Sequence, residues 1–187
     1  ISTKFLWGAG VTKLQDLAAA IEDFKTSGKK VIVFDDNYSQ SQYFLAANAD
    51  EVYMSPQGGV FLTGFSRVGT YFKSLLEKLE INMHVFKVGT FKSAVEPFIR
   101  DDMSPEAKLA NRAWLGDLWT GFVSDIAAKR SLTNDEINNY IDQYRESMQK
   151  YQGDAAKMAL ESGLVDALMT RIEFRQKMIE MVGQDDD

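Results

Sequence analysis

Val31-Ile32-Val33-Phe34 is an apolar run with no polar alternation. A strand with one wet face alternates, whereas a strand covered on both faces does not, and that double burial belongs to parallel sheets flanked by helices. The residues around the run agree with this reading. Before it, Leu14, Leu17, Ala18, Ile21 and Phe24 recur at helical spacing, and Gly28 supplies a stop. After it come a polar loop from Asp35 to Ser39, a short helix over Gln42–Ala49, and a second strand, Glu51-Val52-Tyr53-Met54. The cluster Ser55-Pro56-Gln57-Gly58-Gly59 then turns the chain. Strand, helix and strand in that order predict a parallel or mixed sheet with right-handed crossovers.

The remaining segments extend the pattern. Thr3 to Trp7 reads as a short strand ending at Gly8-Ala9-Gly10. Tyr71, Phe72, Leu75, Leu76 and Leu79 mark an amphipathic helix, and Asn82 to Phe86 a strand. From Ser104 the character changes. Ser104-Pro105-Glu106 has a cap, a proline at the first helical position and an acid in the first turn. Ala110, Ala113, Trp114, Leu118, Phe122 and Ile126 then share one face. Thr133-Asn134-Asp135-Glu136 is a capping box. Ala155–Leu160 is a further helical segment closed by Gly163, Leu164-Val165-Asp166 a last short strand, and Ile172–Val182 a terminal helix. The expected organisation is an α/β core over residues 1–103 and a helical extension over 104–187 that packs on it.

Composition removes several chemistries. The 187 residues are 45% hydrophobic, enough for a real core, and the net charge of −6 with no basic stripe argues against nucleic acid. The Asp185-Asp186-Asp187 tail reads as a solubility feature. Without cysteine there is no thiol nucleophile, disulfide or thiolate-bound zinc. With one histidine, His84, a histidine zinc site is not expected, nor is any other cofactor. His84 falls in the Asn82–Phe86 run and is expected to be a packed or hydrogen-bonded strand residue. The apolar runs are far short of the roughly 20 residues that cross a bilayer, and no signal peptide is recognised. Because the chain begins at Ile1 rather than Met, it is expected to be processed or a piece of something longer.

The segment Val88-Gly89-Thr90-Phe91-Lys92-Ser93-Ala94-Val95-Glu96-Pro97-Phe98 sets a cation among apolar neighbours. Three readings of Lys92 are open. It is a solvated surface lysine; it pairs with Glu96 one helical turn on; or burial lowers its pKa so that a neutral amine serves as general base. Gly8-Ala9-Gly10 is either a tight turn or a backbone anion cradle, and lacks the glycine spacing and the lysine-serine pair of nucleotide sites. Ser39, Ser41 and Ser93 are candidate nucleophiles, none in a GxSxG elbow. Asn37-Tyr38-Ser39 matches a glycosylation sequon by pattern alone.

The stretch from Val88 to Pro105 resembles the lysine segment of the long, two-repeat form of bacterial signal peptide peptidase A (protease IV). Further matching pieces follow in order: Asn37-Tyr38-Ser39-Gln40 with Gln42-Tyr43, Gly64-Phe65 to Lys73-Ser74-Leu75-Leu76, His84-Val85-Phe86, and Gly163-Leu164-Val165-Asp166. The resemblance covers nearly the whole chain, but only the amino-terminal half of such a protein, without its membrane anchor and first strands. It implies a Clp protease/crotonase-like α/β fold and a serine protease with a Ser/Lys dyad. Lys92 then corresponds to the general base. The slot that holds the nucleophilic serine in single-repeat members falls on Gln40, followed by Ser41-Gln42 where a Gly-Gly pair would be. Gly8-Ala9-Gly10 resembles a relic of the other oxyanion-hole loop.

The resemblance therefore implies that the nucleophile lies in the carboxy-terminal half of the same protein. It also implies signal-peptide remnants as substrates, homo-oligomeric assembly, and a location on the periplasmic face of the bacterial inner membrane. Two other readings stand beside it: a non-catalytic crotonase-like scaffold or peptide-binding module, and a self-contained hydrolase using Ser39, Ser41 or Ser93 with Lys92.

Overall fold

A computed structural model describes residues 1–86, 88–89 and 92–183. Thr90 and Phe91 of the lysine segment and the Asp185–Asp187 tail lie outside the described residues. The chain forms two compact units, one of Ile1–Gly64 with Gly121–Asp187 and one of Phe65–Thr120. The expected division between residues 103 and 104 falls inside the second unit.

The first unit is an α/β assembly with parallel strands. Its helix α1 (Val11–Lys25) leads through Gly28, at φ +77°, into β1 (Ile32–Asp35). A two-residue β2 (Tyr38–Ser39) runs directly into α2 (Gln40–Ala46), and β3 (Glu51–Met54) follows. β1 and β3 are parallel, with Val33 opposite Val52 and Phe34 opposite Tyr53. β4 (Val60–Phe61) lies parallel to β2 in a second small sheet, with Tyr38 opposite Val60. The apolar run behaves as its pattern predicts: Val31, Val33 and Phe34 are buried, as are Val52, Tyr53 and Met54.

The carboxy-terminal residues return to this sheet. After α5 (Pro105–Arg130) come α6 (Asn134–Asp142), α7 (Tyr144–Lys150) and α8 (Ala155–Glu161). β5 (Ala167–Leu168) then pairs parallel to β3, with Tyr53 opposite Ala167, giving the order β1-β3-β5. The terminal helix α9 (Arg171–Val182) stacks Phe174 on Phe34, ring centroids 4.6 Å apart. Phe122 and Ile126 from the end of α5, Ile137 from α6 and Met158 from α8 are fully buried. Each such side chain contributes roughly 1.5–3 kcal/mol.

Two expected strands do not form. Thr3 to Trp7 is a turn-containing segment instead. Ser2 Oγ, Thr3 N and Thr3 Oγ1 all donate to the buried Asp35 carboxylate, at 2.8, 2.5 and 2.7 Å, so a side chain takes the Thr3 amide that a strand ladder would use. Asn82 to Phe86 pairs with neither sheet, and His84 is exposed rather than packed in a strand. Its alternating pattern lacks the neighbouring strand that alternation needs to become a ladder. The last strand is also displaced, from Leu164–Asp166 to Ala167–Leu168. There Asp166 is a clamp: its carboxylate accepts from Val52 N at 2.6 Å and from Arg130, and its own N–H donates to Val52 O.

The second unit holds α3 (Lys73–Lys78), the short α4 (Glu96–Ile99) and α5 as far as Thr120. Pro97 sits in the first turn of α4, where a missing N–H costs nothing. Ser104 caps α5 as expected, its Oγ accepting from Ala107 N at 3.1 Å. Among the described residues of this unit, Ala107 is the only apolar side chain in the buried core.

Candidate functional site

The corner between β2 and α2 carries the residues that sequence reasoning placed in the nucleophile slot. Tyr38 anchors the strand side, buried, with its hydroxyl donating to Tyr53 O at 2.6 Å. Burial, reinforced by the nearby Asp35 carboxylate, pushes the Tyr38 phenol above its ordinary range. Tyr43 does the same one helical turn on, donating to Leu164 O at 2.7 Å. Two buried tyrosines thus fix the direction in which α2 leaves the sheet.

Gln40 is the first residue of that helix. Its Oε1 accepts from both Thr63 N and Gly64 N, each at 2.9 Å, and its Nε2 donates to Gly64 O at 3.2 Å. The side-chain amide therefore pairs with the Thr63–Gly64 backbone as a peptide group would. It offers no nucleophile. Ser39, the residue before, is the N-cap of α2 and forms a capping box with Gln42, whose Oε1 accepts from Ser39 N at 2.8 Å. The Gln40 contacts join residues more than twenty positions apart, and nothing in the local sequence announces them.

Gly8-Ala9-Gly10 precedes α1, with Gly10 as its N-cap, but no strand leads into it. A Cβ at Gly8 or Gly10 would meet open space, so neither glycine is required by a close neighbour.

Lys92 lies in the second unit, and its surroundings differ from the expectation. Its side chain is exposed, as is Ala94, while Phe98 is 41% exposed and Val95 only half-buried. These described neighbours therefore do not fold an apolar cover over the lysine. The alternative partner, Glu96, is turned inward instead. It is 2% exposed, and its oxygens accept from Ser104 N at 3.0 Å and from Ser104 Oγ at 2.5 Å. Beside the segment lies a cavity of about 130 Å³ lined by Arg67, Tyr71, Ser93, Pro97, Met103 and Asn111, among others. Asn111 Oδ1 there accepts from Arg67 and Trp114. Ser93 faces this cavity, whereas Ser39 and Ser41 belong to the other unit.

Among the described residues, no three His, Asp or Glu side chains are grouped to hold a metal ion, and no helix is long and apolar enough to cross a membrane.

Parallel strands flanked by helices set the fold class, and comparison places the chain within it. Residues 23–184 match peptidase family S49, and the chain belongs to that family. Among its relatives, Protease 4 of Haemophilus influenzae is 39% identical over the whole chain, which covers 30% of that protein. Protease 4 of Salmonella typhi is 40% identical over 98% of the chain and 30% of its own length. The chloroplastic serine protease SPPA of Arabidopsis thaliana is 22% identical over 97% of the chain and 25% of its own length. The chain thus spans about 30% of the length of the two Protease 4 relatives.

Proposed function

We propose that this chain is part of the amino-terminal half of a membrane-associated serine endopeptidase with a Ser/Lys dyad. It contributes the general base, Lys92, and the carboxy-terminal half of the same protein contributes the nucleophile. The serine attacks the peptide carbonyl as Lys92 takes its proton, and the base returns that proton to the leaving amine. The substrates are the apolar remnants of signal peptides, met at the periplasmic face of the inner membrane by a homo-oligomer. The chain by itself is inactive.

One observation supports this reading: at Gln40, the position that the family resemblance gives to the nucleophile, three hydrogen bonds hold a side-chain amide. A repeat with its own serine would not have that amide in place. The exposure of Lys92 fits a base whose apolar cover comes from elsewhere in the protein. Exposed Val68, Phe86, Val88, Leu109 and Trp114 in the same unit fit such a cover too.

The exposure of Lys92 equally favours a second reading, a non-catalytic scaffold or peptide-binding module. Fluorophosphonate labelling separates the two. The whole protein is expected to label, to lose labelling with Lys92→Ala, and to show none when this chain is tested alone. Undiminished turnover in the Lys92→Ala protein would remove Lys92 from catalysis. Labelling of the isolated chain would place a nucleophile within it.

A further inference from the structure

We infer that Glu96 is a positioning residue, fastening the turn that follows Lys92 to the first turn of α5. The inference rests on the reading of Lys92 as general base. Glu96 lies four residues beyond Lys92 and is among the most deeply buried polar side chains, at 2% exposure. Burying a carboxyl group is costly unless its oxygens are met by donors. Both are met by one residue, Ser104, through its N–H at 3.0 Å and its hydroxyl at 2.5 Å. The same hydroxyl accepts from Ala107 N at 3.1 Å and so caps α5. Glu96 is thereby tied to the start of α5.

The backbone passes this constraint back toward the lysine. Glu96 N donates to Ser93 O at 3.0 Å, and Arg100 N to Glu96 O at 2.9 Å. Lys92 N donates to Gly89 O at 3.4 Å. Pro97 O accepts from Phe72 N at 2.7 Å, which steadies the far side of the same turn. Among the described residues, no ion pair or side-chain hydrogen bond restrains the Lys92 ammonium group. The position of its backbone is what sets where the amine starts. A general base works within about 2.6–3.2 Å of the proton it takes, and a shift of about 1 Å can cost roughly 100-fold in rate. An anchor four residues along the chain bears on a displacement of that size.

The test uses the full-length protein and a fluorogenic apolar peptide. kcat is measured per fluorophosphonate-titrated site, well below each variant's melting temperature. Glu96→Ala is expected to lower kcat by about 100-fold with KM within about twofold. Glu96→Gln, which keeps an acceptor for Ser104 N, is expected to recover most of the loss. Ser104→Ala should lower kcat as well, and the Glu96→Ala/Ser104→Ala double variant should be no slower than Glu96→Ala alone.

Thr133→Ala, which removes the cap of α6, is the control for lost helix capping. It is expected to lower Tm and leave kcat alone. If the Glu96 and Ser104 variants behave like Thr133→Ala, Glu96 is structural only and the inference is overturned. If Glu96→Ala does not fold, Glu96→Gln and Ser104→Ala decide by the same criterion. Retained activity in Lys92→Ala, by contrast, overturns the base reading itself, and the positioning role with it.

Discussion

Gln40 and Tyr43 stand three residues apart on one short helix, and both bond to backbone groups far away in sequence. Tyr43 does so without solvent: its hydroxyl is buried against Leu164 O, and burial pushes the phenol above its ordinary range. Tyr43→Phe leaves that carbonyl with a lost donor in a site closed to water, at an expected cost of roughly 1–3 kcal/mol. Gln40 is half-exposed, so water can replace part of what Gln40→Ala removes. The expected cost there is about 1 kcal/mol. Urea melts of the two variants give the order, and a larger loss for Gln40→Ala would mean that the Thr63–Gly64 loop has no access to solvent. That residue 40 corresponds to a nucleophile slot is what the family resemblance implies. The bonds that fill it are not legible in sequence, because they depend on where β4 delivers Thr63. Lys92 is a similar case: its apolar neighbours could be read, but whether they would fold over it could not.

At the scale of elements, the caps were the most legible feature. Thr133 and Glu136 form the expected box, with Thr133 N and Oγ1 donating to the Glu136 carboxylate at 2.7 and 2.8 Å. These donors, the backbone amide first, hold the Glu136 carboxyl below its ordinary value of 4.5. A depressed folded pKa means stability that is fully present above the unfolded value and is lost as pH falls through the folded one. Glu136→Gln is therefore expected to flatten the acid side of the stability profile below pH 4.5. Urea midpoints measured against pH test this, and an unchanged slope would show that the box contributes nothing to acid sensitivity. Thr170 and Glu173 form a second such box at α9. Short strands were the least legible. β2 and β4 have two residues each, too few to show a period. Asn82–Phe86 shows the period without the partner, since pairing is decided by segments distant in the chain.

For the whole molecule, the alternation of the first hundred residues reads as one continuous α/β core. The structure instead closes that core with the carboxy-terminal residues, because β5 completes the sheet beside β3 and the end of α5 brings Phe122 against Phe44, centroids 4.9 Å apart. Contacts of that sequence separation leave no local trace. The interposed Phe65–Thr120 unit is left with little buried apolar surface of its own. Opening free energies follow buried contacts, so amide exchange is expected to be slowest at Val33, Val52 and Tyr53 and much faster across α3. Equal protection of α3 and β3 in the isolated chain would contradict this. Such a result would mean that the second unit gains its stability from something other than burial.

The Gln40 amide also limits what else can stand at residue 40. A serine side chain ends at Oγ, two bonds short of where the glutamine oxygen meets Thr63 and Gly64. Gln40→Ser would strip both amides of their acceptor in one step. A hydroxyl at that position is therefore tolerated only with a compensating change at residues 63 and 64.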